Sequence, residues 1–66
     1  MYIDLSLVSK VKNFVEVAQS KTDEVILKSD KWVVDGKSIL GIFSLDLSKP
    51  IELVTEDSVG FAQVKA

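Results

Sequence analysis

Three kinds of side chain in this sequence could do chemistry: hydroxyls, lysine amines and carboxylates. Histidine, cysteine and arginine are absent from all 66 residues. A serine nucleophile needs a base to take its proton; no imidazole exists to do so, and no spacing marks a serine–lysine dyad. Zinc sites draw mostly on thiolate or imidazole, and both are missing. The ten Asp and Glu residues are scattered over turns and outward helix positions, the pattern of a solvated surface. Gly36 and Gly41 bracket a stretch too poor in glycine to cradle a phosphate. Composition therefore argues against an enzyme and gives no ground for a metal or any other cofactor.

The most informative stretch is Asp35-Gly36-Lys37-Ser38-Ile39-Leu40-Gly41-Ile42-Phe43-Ser44-Leu45. A polar turn leads into a serine placed to open a helix over Ser38 to Ser44, about two turns long and too short to be stable without packing. Ser38 has two readings. Its hydroxyl can cap the helix by accepting a first-turn N–H, a contribution of about 1 kcal/mol. It can also accept a phosphoryl group, which the helix dipole and free amides tolerate at that end. Ile39, Leu40, Ile42 and Phe43 lie around most of the helix circumference, so some must face water. Two readings stand: a small domain ordinarily shows a few apolar side chains to water, or these residues form a patch that docks a partner, with Lys37 and Lys49 as rim charges.

The elements that must position this stretch fit one domain, residues 1–66. Such a chain is near the size at which a single core only just offsets the entropy of folding. The apolar fraction of 47% is that of a globular chain, and Tyr2, Phe14, Trp32, Phe43 and Phe61 are spaced along it as core anchors. Eight lysines against ten carboxylates give a net charge of −2, which supplies neither an electrostatic footprint for nucleic acid nor a basic patch for membranes. No apolar run is long enough for a signal peptide or a span, and the composition fits a cytoplasmic protein.

Tyr2-Ile3-Asp4-Leu5 reads as a short first strand. Val8, Val11, Val15 and Ala18, with Phe14 alongside, recur at helical steps and predict a helix over Val8 to Gln19, with Ser6 as its N-cap. Glu24 to Ser29 and Trp32-Val33-Val34 form a hairpin around Ser29-Asp30-Lys31. Pro50 suits the first position of a strand continuing through Ile51-Glu52-Leu53-Val54. From Glu56 to Lys65, carboxylates come first and a lysine last, the order the helix dipole favours, which predicts a closing helix weakened by Gly60. The order βαββαβα predicts an α+β fold, an antiparallel sheet with helices on one face.

Lys37-Ser38-Ile39-Leu40-Gly41-Ile42-Phe43-Ser44-Leu45 resembles the regulatory-serine segment of the HPr family, the phosphocarriers of the bacterial sugar phosphotransferase system. The resemblance runs without a gap from about Val11 to Thr55 and takes in Phe14-Val15-Glu16-Val17-Ala18 and Ile51-Glu52-Leu53-Val54. It implies the HPr-like open-faced β-sandwich, with a four-stranded antiparallel sheet and a shortened last helix. It also implies that Ser38 is the serine phosphorylated by HPr kinase. Ile39, Leu40 and Phe43 match the apolar patch that meets enzyme I, the IIA components and the kinase or a transcriptional regulator.

Two departures stand beside the match. The family carries phosphate on a histidine in a Gly-x-His-Ala-Arg-Pro-like loop before the first helix. Here Leu5-Ser6-Leu7-Val8 has neither histidine nor arginine, so phosphoryl carriage by imidazole is chemically excluded. The closing helix is also curtailed, which predicts apolar surface left open or shared, in a marginal monomer or a homodimer. The reading is thus a regulatory or adaptor module working through the Ser38 helix. The alternative is an HPr-derived binding or structural module unrelated to sugar transport, with Ser38 only a helix cap.

Overall fold

Alternation and periodicity divide the chain into four strands and two helices, and a computed structural model describes all of residues 1–66. Strand β1 (Tyr2–Ile3) leads into helix α1 (Val8–Gln19), followed by β2 (Ile26–Ser29), β3 (Trp32–Asp35), helix α2 (Ile39–Phe43) and β4 (Ile51–Val54). The fold is α+β. Its four strands form one antiparallel sheet in the order β1-β4-β2-β3. No helix is long and apolar enough to cross a membrane.

Side chains alternate across a strand, so register decides which residues meet the helices. Leu27 lies opposite both Leu53 and Val34, and Ile3 opposite Ile51. Leu27, Leu53, Ile3 and Ile51 share the core with Val11, Phe14, Val15 and Ala18 of α1, while Val34 is partly buried beside α2. On the other face Tyr2, Glu52, Lys28 and Val33 form one row across the sheet. That row is open to water or only half covered. Gly36 brings the backbone close to the core: a Cβ there would stand 2.7 Å from Val25 Cγ1 and 3.2 Å from Phe14 Cζ.

Several local expectations are corrected. Ser6 does not cap α1. The N-cap is Leu7, whose carbonyl accepts from Lys10 and Val11, while the Ser6 N–H turns back to Asp4 Oδ1 at 2.9 Å. Asp4 also pairs with Lys10 at 2.7 Å. The hydrogen bond from Lys10 comes first among the causes that hold the Asp4 carboxyl well below its usual range. Val8, in the first turn, precedes the buried stripe and is exposed. Of the five aromatics only Phe14 and Phe61 anchor the core. Tyr2 stands on the open face, Phe43 on the outer side of α2, and Trp32 on the helix side of the sheet but at its edge.

The closing helix is replaced by a strap. After Val54 the chain turns through Gly60, whose φ of 92° is closed to most side chains, and ends in a single 3₁₀ turn, Ala62–Val64. Asp57 does not start a helix. Its Oδ1 accepts the Val59 N–H at 3.0 Å and its Oδ2 pairs with Lys21 at 3.0 Å. Phe61 and Val64 enter the core, and the last residues run along β1, with Asp4 N–H donating to Val64 O and Ala66 N–H to Tyr2 O. The short tail therefore closes the core instead of leaving it open.

Phe61→Ala is expected to cost about 3–5 kcal/mol, enough to unfold most molecules of a domain this small, as read by urea denaturation. The hydrogen bond from Lys21, above all, lowers the Asp57 carboxyl from its ordinary 3.8. A lowered value in the folded state means that this pair's stabilisation is present above pH 3.8 and is lost as pH falls through the folded value. Asp57→Asn should flatten the acid limb of the stability profile below about pH 4, with less effect on its shape near neutrality.

Candidate functional site: the Ser38 helix

Helix α2 is held at its start by a chain of short-range bonds. Asp35 Oδ1 accepts the Lys37 N–H at 2.9 Å, and the Asp35 carbonyl accepts the Ser38 N–H at 3.0 Å. Ser38 has extended dihedrals, φ −100° and ψ 110°. Its Oγ accepts the Gly41 N–H at 3.2 Å while its carbonyl accepts from Ile42. That is the capping geometry the sequence predicts. Ser44 ends the helix, its Oγ donating to the Gly41 carbonyl at 2.5 Å. The helix itself is five residues, Ile39–Phe43, with both serines as caps.

Only Ile42 of its four large apolar residues is buried. Ile42 reaches the core beside Leu45, which fixes the roll of the helix and turns Ile39, Leu40 and Phe43 outward. Leu40 is 81% exposed, Ile39 46% and Phe43 47%. A Cβ at Gly41 would touch Val34, so this side of the helix lies against β3. The result is an apolar ridge directly behind an exposed hydroxyl. The first-turn N–H groups of Ile39 and Leu40 have no intrahelical acceptor, so they are available to negative charge brought to Ser38.

The two rim lysines differ. Lys37 is half-buried, and its Nζ donates to the Lys21 carbonyl at 2.9 Å. It binds α2 to the end of α1, a bond supported by Gln19 Nε2 to the Lys37 carbonyl at 3.4 Å. Lys49 is exposed and lines a shallow cleft with Asp4, Ser6, Ser48 and Pro50. Nearby Asp46 accepts both the N–H and the hydroxyl of Ser48, and the hydroxyl above all lowers its pKa. No three acidic side chains converge where a cation could be held.

Leu7 and Val8 at the head of α1 are exposed apolar residues outside the predicted patch, as are Trp32 and Val33 on β3. Alternation alone accounts for Val33, since two adjacent β3 residues cannot share one buried face; Trp32 is on the helix-covered side and is left open by its place at the sheet edge. No protein-family model matches the chain, and neither a curated protein nor a solved structure matches it.

Ser38→Ala should lower stability by about 1 kcal/mol in denaturant unfolding, whereas Ser38→Asp, which can still accept the Gly41 N–H, should recover most of that loss.

Proposed function

We propose that this protein is a cytoplasmic regulatory or adaptor module of the HPr type, an open-faced β-sandwich that docks protein partners through α2 and is switched by phosphorylation of Ser38. The observation that carries the reading is the exposure of Ile39, Leu40 and Phe43 immediately behind an accessible serine hydroxyl. The βαββαβ order and the layer of helices on one face of the sheet support the same reading.

Phosphorylation would place close to two negative charges at the head of the apolar ridge. The free amides of α2 stabilise that charge, so the fold survives while the surface presented to a partner changes from apolar to apolar with an anionic rim. With no imidazole in the chain, the module cannot accept a phosphoryl group on histidine, and its role is to bind components of the phosphotransferase system, HPr kinase or a transcriptional regulator. Nucleic acid and membranes are not its partners.

A second reading rests on the bond from Gly41 N–H to Ser38 Oγ. Under it Ser38 is only a cap, in a binding or structural module unrelated to sugar transport. The test is incubation with HPr kinase and ATP, then pull-down with unmodified and phosphorylated protein. The first reading gives modification at Ser38, a changed set of partners, and binding lost at least tenfold in Leu40→Glu, whose folded stability should move by no more than about 0.5 kcal/mol. Transfer from enzyme I and phosphoenolpyruvate to this chain would end that reading; an unmodified Ser38 with unchanged partners would favour the second.

A further inference from the structure

The two edges of the sheet are treated differently. Along β1 the tail supplies a partner: Asp4 N–H donates to Val64 O at 2.7 Å, Ala66 N–H to Tyr2 O at 3.1 Å, and Ile3 bridges Lys65. Along β3 nothing does. Gly36 N–H donates to Val25 O, and Val34 and Trp32 follow at the same parity opposite Leu27 and Ser29. The backbone groups of Trp32, Val34 and Gly36 thus point at β2, and those of Val33 point out of the sheet. Trp32 and Val33 are each 62% exposed. No proline lies in β3, and its one charge, Asp35, stands at its end, leaving Trp32-Val33-Val34 without the devices that commonly protect an open edge.

We propose that β3 pairs antiparallel with β3 of a second copy of this chain, about a two-fold axis through Val33. The charges around the strand select both the occupant and the register. Val33 and Asp35 lie on one face of β3, and Lys31, in the turn just before the strand, is spaced two residues ahead of Val33. With Val33 opposite Val33 of the second copy, Lys31 stands opposite Asp35 of that copy, and the symmetry repeats the pair. Shifting the register by two residues either way sets a charge against an apolar side chain, and by four sets like charges together. The same register puts Trp32 opposite Val34 of the second copy on the helix-covered face. Val33, whose N–H and C=O face outward, then makes two backbone hydrogen bonds across the axis. One continuous sheet spans both molecules. This interface is separate from the α2 ridge and does not depend on the function proposed for it.

The test uses the full chain and two charge reversals, Lys31→Glu and Asp35→Lys. Sedimentation of the parent over a range of concentrations should show a monomer–dimer equilibrium. Emission from Trp32, the one tryptophan in the chain, should shift to the blue as the dimer forms. Each reversal alone should weaken association at least about tenfold, and an equimolar mixture of the two variants should restore it as a heterodimer, because both cross-strand pairs are then opposite in sign. Asp35 also accepts the Lys37 N–H, so recovery on mixing, with circular dichroism showing that each variant is folded, is the decisive reading. A parent that stays monomeric at every concentration would overturn the proposal. Single variants that dimerise as tightly as the parent, or a dimer broken by Leu40→Glu and indifferent to the charge reversals, would overturn it equally.

Discussion

Everything in this small fold leans on the contact between Phe14 and Phe61, whose ring centroids are 5.1 Å apart with planes inclined by 32°. It joins the middle of the first helix to the last turn of the chain, across most of the sequence. Lys21 closes the contact from outside. Its ammonium lies 5.6 Å from the Phe61 ring and also holds Asp57 and the Val59 carbonyl. A one-sided sheet of this size has little apolar surface to spare, and each fully buried large side chain contributes roughly 1.5–3 kcal/mol. The tail is consequently part of the core and not an appendage.

The same scarcity explains how α2 can be both structural and exposed. A five-residue helix cannot stand by propensity alone, so it is held by Ile42 inside, serine caps at both ends and the Lys37 bond to α1. Those fixings consume one apolar side chain out of four. The remaining three are left to the surface, where a rigid backbone presents them. Rigidity here comes from polar bonds at the helix ends, which leaves the apolar ridge free for other uses.

Local signals were enough to place α1 from Val8 to Gln19, the β2–β3 hairpin and the Ser38 cap, because each depends on residues within one or two turns of one another. The tail departs from its local pattern for a physical reason. Acidic residues followed by lysine suit a helix, but Asp57 uses its carboxylate to catch Val59 and Lys21, and Gly60 takes a positive φ that ends any helix. The bond from Lys37 to the Lys21 carbonyl joins positions sixteen residues apart, a contact that no local pattern signals. Strand order is likewise a matter of distant pairing, beyond the reach of periodicity.

That order, β1-β4-β2-β3, carries a consequence for how the chain reaches its native state. Only β2 and β3 are neighbours in both sequence and space, so their hairpin is the one piece of sheet that can form by local closure. The central pair, β2 with β4, must wait for a loop containing β3 and α2 to close. The first strand waits longer, since its partners are β4 and the final residues. Loop-closure entropy therefore orders assembly from the middle of the chain outward. The two ends, which would fray first in an isolated strand, are committed last and together.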